Sequence, residues 1–64
     1  MKQTLTFEKH EINGITKILS NGFIVGYTID LNLISSFYLA DFLNGLGDDV
    51  IFYRKRDALI VVIE

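Results

Sequence analysis

The chain has 64 residues, with eight acidic and six basic side chains and a formal net charge of −2. Half of the residues are hydrophobic, and cysteine, proline and tryptophan do not occur. This length predicts a single small domain over residues 1–64. The lack of cysteine excludes a disulfide scaffold, a zinc finger and a thiol nucleophile, and the near-neutral charge excludes a polybasic nucleic-acid tail.

The sequence also bears on location and origin. No apolar run reaches the roughly 18 residues that span a bilayer, and no signal peptide opens the sequence, so we expect a cytoplasmic protein. Frequent isoleucine, phenylalanine, asparagine, lysine and tyrosine suit AT-rich coding, and small single domains are common in phages and plasmids, so we expect such an origin.

A chain this small has little interior for its apolar side chains. A domain of about 60 residues buries only about 60% of its unfolded surface, so it usually needs a disulfide, a metal or a partner subunit. Cysteine is absent and His10 is the only histidine. We therefore expect a homodimer that buries surplus apolar surface, with a compact monomer as the alternative.

Turn signals divide the first half into strands. The pairs Asn13-Gly14 and Asn21-Gly22 tolerate the positive φ angles of tight hairpin turns. Residues between them alternate in polarity, most clearly after the second pair, which predicts an antiparallel meander. The predicted segments are Thr4–Ile12, Ile15–Leu19 and Phe23–Ile29. A two-residue turn at Asn13-Gly14 would place Phe7 and Leu19 on opposite faces, so we expect a bulge or a longer loop.

The middle of the chain predicts one helix. Asp30 is a favourable N-cap, the helix covers Leu31–Asn44, and Gly45 ends it in the left-handed conformation. Apolar residues occupy most of its circumference, so the helix should be buried on more than one side. Its expected inner stripes are Leu31, Ile34, Tyr38 and Phe42, and beside them Leu33, Phe37 and Ala40, with Leu39 and Leu43 interrupting the polar sector.

The last segment predicts a hairpin. Val50–Arg54 and Asp57–Ile63 flank a turn at Lys55-Arg56, which places Arg54 opposite Asp57. Both strands are apolar on both faces, which is typical of a central strand or an interface, and Leu59–Ile63 would aggregate as an open edge. The predicted fold class is α+β: a small single domain with an antiparallel sheet and one helix packed on it, in the order β-β-β-α-β-β.

The polar residues do not form a catalytic constellation. Asp41 has no second carboxylate or base at a suitable spacing. Gly47-Asp48-Asp49 is typical of a turn entering a strand, and His10 of a solvated strand residue without other metal ligands. We therefore expect no enzymatic activity, no metal and no cofactor.

A few side chains are candidates for partner binding. Tyr38 and Tyr53 carry hydroxyl groups that prefer water or a partner. The carboxylate of Asp41 lies at the rim of the expected core, where it needs a hydrogen-bond donor. The basic triplet Arg54-Lys55-Arg56 occupies the hairpin turn. In a dimer this triplet would be doubled. The predicted partner-binding residues are Tyr38, Asp41, Tyr53, Arg54, Lys55 and Arg56.

A helix followed by Asp48–Arg56 and Ala58–Val62 resembles the helix and basic-tipped hairpin of prevent-host-death antitoxins. Those proteins are dimeric DNA-binding repressors, so the resemblance implies DNA binding through the hairpin tip. It covers about the last half of the chain. The sequence departs from that pattern in its strands before the helix, and in lacking a second helix and a toxin-binding tail.

These observations predict a small non-enzymatic protein-interaction module. It would be an accessory or inhibitor protein of phage or mobile-element type that binds and modulates a larger protein. The alternative is a dimeric DNA-binding transcriptional regulator that places paired basic tips on phosphates. A third possibility is an assembly subunit that pairs through Leu59–Ile63.

Overall fold

The computed structural model describes residues 4–64, which form five strands and one helix. All neighbouring strands are antiparallel and belong to one sheet in the order β1-β2-β3-β5-β4. The elements are β1 Leu5–Lys9, β2 Ile15–Ser20, β3 Phe23–Asp30, α1 Ser36–Gly45, β4 Val50–Lys55 and β5 Ala58–Ile63. This architecture confirms the predicted α+β class and the order β-β-β-α-β-β.

The tight turn between β2 and β3 follows from local chemistry. Asn21 and Gly22 have φ angles of 53° and 85°, as a two-residue type I′ turn requires. Ser20 pairs with Phe23 across this turn. The prediction of a hairpin at Asn21-Gly22 is therefore confirmed.

The connection between β1 and β2 is the longer loop that the alternation indicates. Strand β1 ends at Lys9 and β2 begins at Ile15, so residues 10–14 form the connection. Phe7 lies opposite Ile18, and Leu19 still belongs to the other face. A register shift does occur, but it lies in the β2–β3 pair, next to Leu19.

The turn of the C-terminal hairpin lies one residue later than the sequence predicts. Lys55 pairs with Ala58, so Arg56 and Asp57 form the turn, and Arg56 has a φ of 56°. The predicted pairing of Arg54 with Asp57 is wrong, because Arg54 lies opposite Leu59. The cross-strand neighbour of each β4 residue therefore lies two residues further along β5 than predicted. A shift by an even number of residues keeps every side chain on its predicted face.

Strand β5 occupies an interior position in the sheet, between β3 and β4. The backbone of residues 59–62 therefore pairs with neighbouring strands on both sides, and Ile63 pairs with β4. This satisfies the expectation that folding hides this segment from open-edge aggregation. It also rules out edge-to-edge assembly through Leu59–Ile63.

Asp30 begins a turn and not the helix, so the predicted helix start is wrong. Its Oδ1 accepts a hydrogen bond from the Asn32 amide at 2.9 Å. Its carbonyl accepts from the amides of Leu33 and Ile34 at 3.1 and 3.2 Å. These local bonds satisfy the backbone over a single turn, which is the usual way in which aspartate competes with a helix.

Helix α1 has its own caps. Ser35 is the N-cap, and its Oγ accepts a hydrogen bond from the Tyr38 amide at 3.3 Å. At the other end, the Leu46 amide donates to the Leu43 carbonyl. Gly45 is the last helical residue, and the left-handed conformation predicted for it belongs to Gly47, with a φ of 81°.

The core lies between the helix and one face of the sheet. It centres on Ile15, Ile29, Ile34 and Val61, all less than a tenth exposed. The helical side chains packed against this cluster are Leu39, Phe42 and Leu43, followed by Leu46. The predicted inner stripes are therefore wrong except for Ile34, Phe42 and the partly buried Leu31.

The cap at Ser35 yields a direct stability test. Ser35→Ala removes the acceptor of the Tyr38 amide, and we expect the free energy of unfolding to fall by about 1 kcal/mol. Urea denaturation followed by circular dichroism measures the change. Ser36→Ala is the matched control: Ser36 is the first residue of the helix and not its cap, and alanine is a better helix former than serine, so this variant should lose no stability. Equal losses in both variants would contradict the assigned helix start.

Candidate interaction surfaces

Three large side chains protrude at the start of α1. Leu33, Phe37 and Tyr38 are 58%, 76% and 56% exposed. The Phe37 and Tyr38 rings meet edge-to-face with their centroids 5.8 Å apart. We call these three residues the helix patch. Phe37 lies on the side of the helix that faces away from the sheet, because Leu39, Phe42 and Leu43 occupy the inner side.

A groove of about 410 Å³ adjoins the helix patch. Leu33 and Tyr38 line it together with Ile12 and Ile34, and Glu11 lies at its margin. Asp41 is exposed one helical turn after the two aromatic residues, at the spacing that places side chains side by side on a helix. The apolar patch therefore carries an acidic rim formed by Glu11 and Asp41.

The second surface is the face of the sheet opposite the helix. Strand register aligns one apolar row across all five strands. In sheet order this row is Phe7, Ile18, Gly26, Val62 and Ile51. Within residues 4–64 the single helix packs on the other face, so we call this one the open sheet face.

Other apolar side chains extend the open sheet face. Tyr53 pairs with Ile60 and lies beside the central row, whereas Leu5 and Phe23 lie at the far end from the hairpin tip. Phe7, Phe23 and Tyr53 are all more than half exposed. The open sheet face therefore combines exposed aromatic edges with an aliphatic centre.

The basic triplet forms the tip of the β4–β5 hairpin. Arg54, Lys55 and Arg56 are all exposed, and the Arg54 Nε donates to the Arg56 carbonyl at 3.4 Å. Arg54 and Lys55 are successive strand residues and point to opposite faces. Lys55 and Arg56 share a shallow depression with Asp30 and Asp57. Acidic side chains thus interrupt the positive surface at the tip.

The six predicted partner-binding residues do not form one site. The helix carries Tyr38 and Asp41, and the open sheet face carries Tyr53. The hairpin tip carries Arg54, Lys55 and Arg56.

His10 is half-buried and follows β1, so the expectation of a solvated strand histidine is wrong. Its Nδ1 accepts a hydrogen bond from the Ile12 amide at 3.1 Å. Its ring lies edge-to-face against Phe42 and Tyr27, at centroid distances of 5.3 and 6.2 Å. His10 therefore secures the long β1–β2 loop against the core.

Two further properties concern metals and membranes. The structure, over the residues it describes, brings together no group of three or more His, Cys, Asp or Glu side chains that could hold a metal ion. The ten residues of α1, the helix found between residues 4 and 64, are too few to cross a membrane.

The apolar pattern predicts that Leu33 and Phe37 lie on the buried side of the helix, and this prediction is wrong because both are exposed members of the helix patch. Ser35 was the signal that could have corrected this, because serine is a strong N-cap and starts the helix five residues later. Comparisons of the chain with protein-family models, curated proteins and solved structures find no match.

Proposed function

We propose that this chain is a non-enzymatic protein-interaction module that binds a larger protein through the helix patch. Exposure of Leu33, Phe37 and Tyr38 side by side is the observation that supports this proposal most strongly. The module would act in the cytoplasm as an accessory or inhibitor protein, as small proteins of phages and other mobile elements do.

The chemistry of the patch defines the surface that it would bind. Aromatic side chains dominate the binding energy of many protein interfaces, especially when neighbouring contacts exclude water. Phe37 and Tyr38 provide such anchors, and the adjoining groove can accept an apolar side chain from the partner. The acidic rim of Glu11 and Asp41 favours a partner whose apolar site is flanked by lysine or arginine.

Phe37→Ala tests the role of the helix patch. The tagged wild-type chain first captures its partner from a lysate of the host cells. The purified partner is then titrated with wild type and with the variant by calorimetry. We expect the dissociation constant to rise at least about 30-fold in the variant, because loss of an aromatic anchor typically costs about 2 kcal/mol or more. Phe37 is 76% exposed, so the fold should tolerate the change.

The matched control alters the other candidate site. Simultaneous replacement of Arg54, Lys55 and Arg56 by alanine should leave the dissociation constant within about twofold of wild type, since exposed charges remote from an interface contribute little. Loss of binding in this variant and retention in Phe37→Ala would overturn the proposal.

A DNA-binding regulator that uses the hairpin tip remains the alternative hypothesis. Such binding would weaken steeply between about 50 and 200 mM salt, because each phosphate contact releases a counterion. The triple alanine variant would abolish it. The acidic neighbours of the tip, Asp30 and Asp57, weigh against this alternative.

A further inference from the structure

We propose that the open sheet face binds a second copy of this chain, so that the module is a dimer with both helix patches facing outward. This inference goes beyond the proposed function, because it concerns the opposite side of the molecule. Three features support it: the size of the exposed surface, the composition of the open sheet face and the arrangement of its strands.

The chain exposes more surface than its mass requires. Its accessible area is 5027 Å² at a mass of 7.3 kDa. The scaling of area with mass for folded monomers gives about 4,200 Å², which leaves a surplus of about 800 Å². One partner contributes about 800 Å² to an interface of standard size. Burial of one interface of standard size would therefore bring the exposed area of the chain close to that of a typical folded monomer.

The open sheet face has the composition of a homodimer interface. Its central row runs from Phe7 on one edge strand to Ile51 on the other and contains no charged residue. Homodimer interfaces are more apolar than other interfaces. The lysines of this face, Lys9 and Lys55, lie on the two edge strands toward the hairpin-tip end, where they can remain solvated at the rim.

Strand β5 is apolar on both faces, as strands covered on both sides are. Leu59 and Val61 face the helix, and Val61 is fully buried. Ile60 and Val62 face the open side, where Val62 is 38% exposed. A second sheet packed about 10 Å away would give these residues the cover that the helix gives Val61.

A two-fold symmetric pairing suits this face better than it suits the sheet edges. In such a dimer each copy presents the same surface, so one apolar row provides both halves of the contact. The edges of β1 and β4 could also pair with other chains. Edge pairing would lengthen the sheet but leave the apolar row exposed to water.

Light scattering over a concentration series tests this inference on the full chain. We expect a molar mass of twice 7.3 kDa for the wild type at high concentration, falling toward 7.3 kDa on dilution. Val62→Lys places a charge at the centre of the interface in both copies, and we expect the dimer dissociation constant to rise at least about 100-fold. Phe37→Lys, on the helix patch, is the matched control and should remain dimeric.

Phe7→Lys provides a second variant in case lysine at Val62 disturbs the sheet. Phe7 is 62% exposed on an edge strand, so its replacement should preserve the circular dichroism spectrum while weakening the dimer. Three results would overturn the inference. They are a monomeric wild type at every concentration, a dimer that both sheet variants leave intact, and an open-ended series of larger species.

The two proposals can fail separately. A monomeric wild type that still loses its partner in Phe37→Ala would remove the dimer and leave the helix patch as the binding surface. If Val62→Lys breaks the dimer and Phe37→Ala leaves the affinity for the partner unchanged, the dimer stands and the helix patch is not the binding surface.

Discussion

Replacement of Ile29 by alanine should lower the free energy of unfolding by about 3 to 4 kcal/mol, as large-to-small changes in a packed core do. Ile29 is fully buried in β3, an interior strand, and lies between Ile15 and Leu59 in the register. A chain of 64 residues has a total stability of about 3 to 10 kcal/mol. This single cavity should therefore remove a large share of it.

Urea denaturation at one fixed protein concentration measures this loss, because self-association would make stability depend on concentration. Leu33→Ala is the matched control: it removes an aliphatic side chain of the same size that is 58% exposed. We expect the control to lose less than about 1 kcal/mol. Similar losses in the two variants would contradict the division between the core and the helix patch.

Gly26→Ala should cost at least about 2 kcal/mol, since overpacking at a rigid site is destabilising. Gly26 is buried in β3 next to the register shift and pairs with Val62. A Cβ at this position would collide with the carbonyl oxygen of Val61. That oxygen belongs to the backbone of the adjacent strand, so relief requires separating β3 from β5.

Thermal unfolding of Gly26→Ala should show a melting temperature about 10 °C or more below wild type, given the scale of about 4–8 °C per kcal/mol for such domains. The same substitution at Gly45 is the control. Gly45 ends the helix, and the space that a Cβ would occupy there is open, so alanine should raise stability by up to about 1 kcal/mol. If Gly26→Ala melts at the wild-type temperature, the close approach of β5 to β3 at Gly26 would be contradicted.

Features governed by local rules were predictable from the sequence. Asn21-Gly22 demands a tight turn whatever surrounds it, and the alternation after it specifies a strand. The C-terminal hairpin was also predictable in its strands and faces. The position of its turn was also open to prediction, because aspartate favours turns and Asp57 therefore indicates Arg56-Asp57; the choice shifts the pairing by two residues without exchanging the faces.

Features that depend on competition between neighbouring signals were not predictable. Asp30 and Ser35 are both good N-caps, and hydrogen bonds from Asn32, Leu33 and Ile34 commit Asp30 to a turn. The shorter helix then packs the partly buried Leu39 and Leu43 against the core. Phe37 and Tyr38 consequently become surface residues, although their apolar character alone suggests the core.

The open sheet face shows a second limit of sequence reasoning. Val50–Tyr53 and Leu59–Ile63 are apolar on both faces, so alternation cannot indicate which face the helix covers. That choice depends on the loop that carries Asp30–Ser35 over one side of the sheet. It leaves Phe7, Val62 and Tyr53 together on the other side.

Backbone amide NMR of the isotope-labelled chain, titrated with the purified captured protein, tests the proposed function most directly. The proposal predicts that the largest chemical-shift changes fall between Leu33 and Asp41, where the helix patch and its acidic rim lie. Changes confined to residues 54–57 at the hairpin tip, with residues 33–41 unaffected, would contradict it.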